Sequence, residues 1–335
     1  MSTKNLSYLS ANTFPIKIFL NKDLVDSVLD SGKIMPIHLQ LIPTNRCNFK
    51  CDFCSCANKI EGEQLTFLQY KKIMTKAAKA GCRAVTITGG GEPLVHPEIG
   101  EMIEDMNSRG IEIGLTTNGS MIKRLTAKQL NMFTWIRISA GDSMEKNLKR
   151  VGRTLEQHLG DIAAAAEKAP KVDWAFSYVY MAKPKYEMME KFIKFANKYK
   201  FAHVRITPDI LDLENVPDIE KVEKTLKRRG VNDKIVVYQA RQSFEHGSKD
   251  CLISLLKPLV GADGLLYPCC GTQYAKKKAL RDNDKSMALG RAEDIDKIFA
   301  GQIPFNGSKC VKCYYDQYNK LLKSVLDGVQ HKKFV

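Results

Sequence analysis

The chain has 335 residues, 44% hydrophobic, 27% charged and 8% aromatic, proportions of an ordinary globular protein that exclude a disordered tail or a fibrous repeat. Its formal net charge of +15 points to anionic partners. The cations are scattered, however, with tight runs only at Lys276–Lys278 and Lys332-Lys333, so a Lys-rich solvated surface is the simpler reading and nucleic acid stays an open partner. No stretch reaches the roughly 18–20 apolar residues of a membrane span. The polar Met1–Ser10 segment lacks the apolar core of a secretion signal, so the expectation is a cytoplasmic chain without a membrane partner.

From Pro36 onward short β-rich runs alternate with amphipathic helical stretches. Ile37–Leu41 reads as a first strand, followed by a Cys-rich loop and a helix over about 66–80. Ala84–Thr88 is the second strand; it runs into Gly89-Gly90-Gly91 and a helix over about 97–108. Glu112–Thr116, Trp135–Ser139, Trp174–Val179 and His203–Ile206 are the third to sixth strands, with helices over 155–168 and 187–199 among the connections. Repeated βα units imply a parallel sheet with right-handed crossovers. Six units fall short of the eight of a closed barrel, so the fold class is α/β, a partial (β/α)6 TIM-like barrel. Past Arg229-Gly230 the rhythm breaks. The expected division is an N-terminal extension over 1–35, the barrel over 36–230, and a smaller C-terminal domain over 231–335.

Ten cysteines in a reducing compartment point to metal binding or redox work rather than disulfides. Cys47, Cys51 and Cys54 fall within eight residues directly after the first strand, on the barrel face where active sites are built. Three close thiolates suit an iron–sulfur cluster with one open iron; zinc, which wants four protein ligands, stays available if Cys56 joins them. Farther on, Cys251, Cys269-Cys270, and Cys310-x2-Cys313 supply four more thiolates, enough to ligate a cubane cluster or a zinc ion fully. Cys56 and Cys82 read as free thiols.

The C-x3-C-x2-C spacing with Phe53 before its last cysteine resembles the radical S-adenosylmethionine (radical SAM) superfamily. Gly90-Gly91-Glu92-Pro93 after the second strand is similar to that family's GGEP motif, which holds the methionine amino group. Thr117-Asn118-Gly119 and Ser139 stand where relatives contact the rest of the cofactor. The resemblance covers roughly residues 36 to 210. It implies a 4Fe–4S cluster on Cys47, Cys51 and Cys54, S-adenosylmethionine at the open iron, cleavage to a 5′-deoxyadenosyl radical, and a flavodoxin or ferredoxin as electron donor. Physical chemistry agrees that a glycine triplet lets backbone approach a ligand closely, and that Glu92 suits an ammonium group. A plain strand-to-helix turn is the simpler alternative there, and a simple turn competes at Thr117-Asn118-Gly119. Where relatives often read Ser-Leu-Asp-Gly, this chain reads Ser139-Ala140-Gly141-Asp142. The Asp is displaced by one residue, so the family's role does not carry over to it; Asp142 stays a candidate catalytic group at the mouth, with a helix N-cap as the favoured alternative.

The second set resembles the auxiliary-cluster domain appended to many radical SAM enzymes, in its short "twitch" form rather than the longer SPASM form, which carries further cysteines beyond the C-x2-C pair. The resemblance implies a second 4Fe–4S cluster on Cys251, Cys269, Cys310 and Cys313, with Cys270 a neighbour or a substitute for Cys269. Four thiolates leave no iron for substrate, so electron acceptance is its natural role and a net oxidation of a small molecule the expected outcome. Modification of a peptide or a nucleotide by the same radical is the alternative. One relative, which makes a molybdopterin precursor, ends in Gly-Gly; this chain reads His331-Lys332-Lys333-Phe334-Val335, which argues against that activity. Tyr178 and Arg205, near strand ends, are further candidates for catalytic contact, and Arg205 suits an anionic substrate. From another class, the cysteines would be zinc staples of a nucleic-acid-binding protein, a reading in which the GGEP motif has no task.

Overall fold

The computed structural model describes residues 17–18, 20–56, 60–231, 234–240, 246–271, 285–310 and 313–327. The lysine runs at 276–278 and 332–333, the Met1–Ser10 segment and the His331–Val335 terminus lie outside them. Seven strands follow one another in parallel: β1 (His38–Leu41), β2 (Ala84–Ile87), β3 (Glu112–Thr117), β4 (Phe133–Gly141), β5 (Asp173–Tyr180), β6 (His203–Pro208) and β7 (Val236–Tyr238). Between them lie the helices Phe67–Lys79, Ile99–Ser108, Ala127–Leu130, Met144–Arg150, Leu155–Lys168, Tyr186–Lys198 and Ile219–Arg228. Three of these start on the same local device. Thr66, Thr126 and Thr154 each accept from the N–H three residues on, and the glutamine there caps back onto the threonine N–H, a reciprocal box that satisfies two orphan donors.

The barrel is open, as expected, and the seventh strand goes beyond the six units read from the sequence. Beyond residue 230 the chain does not start a separate sheet. β8 (Leu259–Val260) pairs parallel with the free edge of β1, and β9 (Leu265–Tyr267) and β10 (Gly290–Arg291) continue antiparallel. Ten strands among the described residues thus form one sheet in the order β10-β9-β8-β1-β2-β3-β4-β5-β6-β7. Hydrogen bonding to the unpaired edge of β1 draws this segment in, a long-range pairing that a βα rhythm does not announce. The termini are joined too: the helix Lys22–Ser31 packs on the C-terminal helix Asp316–Asp327, and Ile34 and Gln302 exchange hydrogen bonds at 2.8 and 3.1 Å.

Strand alternation sets two faces. Leu39, Leu41, Val85, Ile87, Ile113, Leu115, Ile136, Ile138, Phe176, Tyr178, Val204 and Ile206 are buried in the main core. That this face looks outward to the helices is shown by Phe192 of the helix Tyr186–Lys198, which meets Phe176 and Tyr178 edge-on at 4.9 and 5.8 Å. The alternate residues face the lumen and are largely polar: Gln40, Thr86, Thr116, Arg137, Ser139, Ser177, His203 and Arg205. The lumen's lower part is filled by Trp135. Its ring lies 2.1 Å from where a Gly114 Cβ would stand, so only glycine fits that register position.

Candidate active site

The loop leaving β1 is held by neighbours rather than by regular structure. Asn48 donates to Ser120 Oγ (2.7 Å) and accepts from Asn118 (2.9 Å), which ties the loop to the end of β3. Fully buried Asn147, in the helix after β4, accepts from the Lys50 N–H (2.7 Å) and points its amide at Cys51 Sγ (3.6 Å). The Phe49 N–H donates to Cys47 Sγ (3.4 Å) and the Cys54 N–H to the Cys51 carbonyl (3.1 Å). Phe53 packs against Gly141 of β4 so closely that a Cβ there would stand 2.5 Å from the ring. Burial, then the neighbouring Cys54 and Cys47, push the Cys51 thiol up to about 12. Three crowded thiols of this kind ionise together only beside a cation, and the N–H donors aimed at their sulfurs suit thiolates. The donor set therefore fits an iron–sulfur cluster.

Gly90 and Gly91 make the close approach that the motif suggests, and its target is the cysteine loop. A Cβ on Gly90 would meet Asn45 Oδ1 at 1.9 Å, and one on Gly91 the Arg46 carbonyl at 1.9 Å. The Gly91 and Glu92 N–H groups donate to the Thr44 and Arg46 carbonyls at 3.0 and 2.8 Å. Glu92 is buried, and its carboxylate accepts from the Leu94 N–H (3.0 Å), the Thr117 hydroxyl and the Asn118 N–H (2.6 Å). The carboxylate matched to an ammonium group is thus engaged in joining the ends of β2 and β3. Gly119, with φ +75°, then turns the chain beside His158.

Asp142 is not a helix N-cap. It is buried and accepts from the Tyr178 hydroxyl (2.6 Å) and the Met181 and Lys185 N–H groups (2.8 and 3.1 Å), so it clamps the segment after β5. Ser143, one residue later, takes the cap position without a side-chain bond. Tyr178 lies on the helix-facing side, fully buried, with its hydroxyl committed to Asp142. Ser139 and Arg205 do face the lumen, level with Ser177. Arg205 donates to Ser177 Oγ from Nε and Nη2 at 3.1 and 2.7 Å.

The second cysteine set gathers from three distant segments. Cys251 bridges to Phe305 in antiparallel fashion, which brings the 310–313 segment alongside. Burial first, then neighbouring thiols, raise the pKa values of Cys251 (to about 12), Cys269 and Cys310 (to about 11); burial raises Cys313. The electrostatic neighbours are Cys313 and Cys310 for Cys251, and Cys270, Cys251 and Cys310 for Cys269. Cys269 and Cys313 each accept from the N–H two residues on, at 3.3 and 3.4 Å, the arrangement seen at Cys47. Cys270 turns instead to the Tyr315 hydroxyl at 3.0 Å. Among the described residues no three His, Cys, Asp or Glu close on a single-ion distance. Cys82 is buried as expected, and Cys56 is half-buried near the Gly89 carbonyl at 3.7 Å.

Sequence reasoning passed over Asn48, Asn147 and Arg137. Asn147 carried a faint signal, a poor helix former inside a short helix; Arg137 sits in the polar-apolar alternation of Trp135–Ser139.

An open α/β barrel with a three-cysteine loop at the C-terminal end of its first strand defines a protein whose chemistry gathers at the barrel mouth. Residues 41–196 match the radical SAM superfamily, and the chain is a member of it. Membership implies a 4Fe–4S cluster and S-adenosylmethionine. A GTP 3′,8-cyclase of Staphylococcus epidermidis is 38% identical over 97 residues, 26% of this chain and 28% of that protein; the Staphylococcus aureus enzyme is 38% identical over 96 residues, with the same coverage. The chain thus spans 28% of the length of these curated relatives. Among solved structures, Streptococcus suis SuiB bound to its precursor peptide SuiA superposes with a TM-score of 0.59 at 18% identity, over 92% of this chain and 78% of that one. The anSMEcpe enzyme with bound AdoMet and the Cp18Cys peptide does so with 0.54 at 13%, over 89% and 85%. At these identities the likeness is one of fold. No helix among the described residues is long and apolar enough to cross a membrane.

Proposed function

We propose that the chain is a radical SAM oxidoreductase that abstracts hydrogen from a small molecule in the barrel lumen and completes a net oxidation with an electron acceptor at the second cysteine set. In this reading Cys47, Cys51 and Cys54 hold the first 4Fe–4S cluster, and Cys251, Cys269, Cys310 and Cys313 an auxiliary one. When bound, the first cluster and S-adenosylmethionine supply a 5′-deoxyadenosyl radical. The chain's own residues do the rest. Asn48 and Asn147 fix the cysteine loop, and Phe53 seats it on Gly141. Gly90, Gly91, Glu92, Thr117 and Asn118 form one bonded ledge beside that loop, with Ser139 facing it from β4. The strands and helices that wall the lumen limit water's access to the radical's path.

The observation that carries the reading is the placement of the two cysteine sets. The first follows the C-terminal end of β1. The second lies past the N-terminal end: β8 pairs with β1 from Gln40↔Leu259, and β9 runs antiparallel to β8 with Tyr267 opposite Leu259, so Cys269, two residues on, is carried towards the His38 end of β1. The lumen lies between them. Peptide modification is the second reading, favoured by the fold shared with SuiB, whose structure holds a precursor peptide. Anaerobic turnover with dithionite and S-adenosylmethionine tests the proposal. The reconstituted chain should form 5′-deoxyadenosine, and a deuterated extract should deliver deuterium into it from a small-molecule fraction. Deuterium from the peptide fraction favours the second reading, and no 5′-deoxyadenosine at all rejects both.

A further inference from the structure

We infer that the middle of the lumen is an anion-binding site, in which Arg137 and Arg205, helped by Lys257, grip a phosphate or carboxylate group of the substrate. The inference deepens the proposal above and rests on its placing the substrate in the lumen. Strand register puts Arg137 level with His203 across Ala175, and Arg205 one layer higher, level with Ser139 and Ser177. The Arg137 guanidinium lies 5.2 Å over the Trp135 ring, a cation–π contact that props it up from the lumen floor. Its Nη2 donates to Thr116 Oγ1 at 3.1 Å. Arg205 is oriented by Ser177, a neutral acceptor. Lys257 stands two residues before Leu259, the register partner of Gln40, which puts it at the level of His38 on the β8 side.

These cations dominate their surroundings. After burial, Arg137 and Arg205 hold the His203 imidazole down, to about 3, and Lys257 and Lys17 act in the same sense on His38. Both histidines are therefore neutral and add no competing charge. Beside the cations, the buried Gln40 Oε1 has no hydrogen-bond partner among the described residues, and neither has Gln239 Oε1. Gln40 shares the Trp135 register row, and Gln239, just past β7, continues the parity of Arg205's row. A buried amide without a partner awaits one. The ligand chemistry that fits is a small polar molecule with one anionic end and hydroxyl or amine groups around it.

Calorimetric titration of the reconstituted full chain with inorganic phosphate, and separately with glutarate, at fixed ionic strength tests this. Saturable binding with one anion per chain is expected, and the tighter of the two identifies the group. Arg205→Gln should weaken it at least about tenfold, Lys257→Gln less, and Arg205→Lys should keep most of it. Lys194→Gln, on the outer helix, should change nothing. The inference is overturned by no saturable binding of either anion, or by equal affinity in the wild type and Arg205→Gln. If Arg205→Gln does not fold, Arg137→Gln and Lys257→Gln carry the test. Anion binding without 5′-deoxyadenosine formation would sink the functional proposal and spare this one; the reverse pattern would do the opposite.

Discussion

The two cysteine sets solve the same problem by opposite routes. The first crowds three thiols into residues 47–54, so its geometry is local and the surrounding fold has only to hold one loop. The second is collected from residues 251, 269, 310 and 313, so it exists only after β8 and β9 have docked on β1 and Cys251 has bridged to Phe305. Local spacing makes a site readable and robust. Long-range assembly makes it a sensor of whether the C-terminal third has folded.

Substitution should separate the two most sharply. Cys51→Ala is expected to abolish 5′-deoxyadenosine formation, by more than about a thousandfold, measured by chromatography of anaerobic reactions. Cys251→Ala should leave that cleavage largely intact while removing about four irons and the oxidised product. Equal loss of cleavage in both variants would break the comparison. Within the second set, Cys269→Ser should behave like Cys251→Ala, whereas Cys270→Ser, whose thiol faces Tyr315, should keep its iron; the reverse assignment of iron would exchange the two roles.

Smaller effects concern support. Asn147→Ala leaves the Lys50 N–H without its acceptor and removes the amide donor aimed at Cys51, at a cost of about 1–3 kcal/mol in chemical denaturation. The cluster's reduction potential, followed by its EPR signal, should shift as well. The lumen should show up in acid. Folded His203 takes up its proton only near pH 3, well below an unfolded histidine near 6.5. Stability is thus unaffected by this group above about pH 6.5 and falls as pH drops towards 3, by about 1–2 kcal/mol at pH 5. Thermal scans from pH 7 to 5 should show that slope, and His203→Gln should flatten it.

The sequence made the barrel legible because each strand carries its own apolar alternation, and Thr66 and Thr154 open two of the long helices. Edge pairing was not legible, since β8 and β10 are two residues each and β8 finds its parallel partner β1 more than 200 residues back. Among the site residues, the cysteines announced themselves by spacing. Tyr178 did not announce its direction: a shift of one residue moves a strand side chain from lumen to core, and it lies on the core side. Asp142 shows the same limit, being a clamp on a loop that is adjacent in space and about 40 residues away in sequence. Ser139 and Arg205 were read singly, and the alternation of polar residues along β4 to β6 that joins them was the overlooked signal. A parallel sheet covered on both faces reads as continuous apolar runs, so Arg137, Ser139, Ser177 and Arg205 marked a lined cavity.

The central claim is that two iron–sulfur clusters occupy the two ends of the barrel, and iron and sulfide analysis tests it most directly. Anaerobically reconstituted wild type should contain about eight irons per chain, and the triple substitution Cys47→Ala, Cys51→Ala and Cys54→Ala about four. Four irons falling to none, with zinc left behind, would contradict the auxiliary cluster, and no iron in either protein would contradict the whole account.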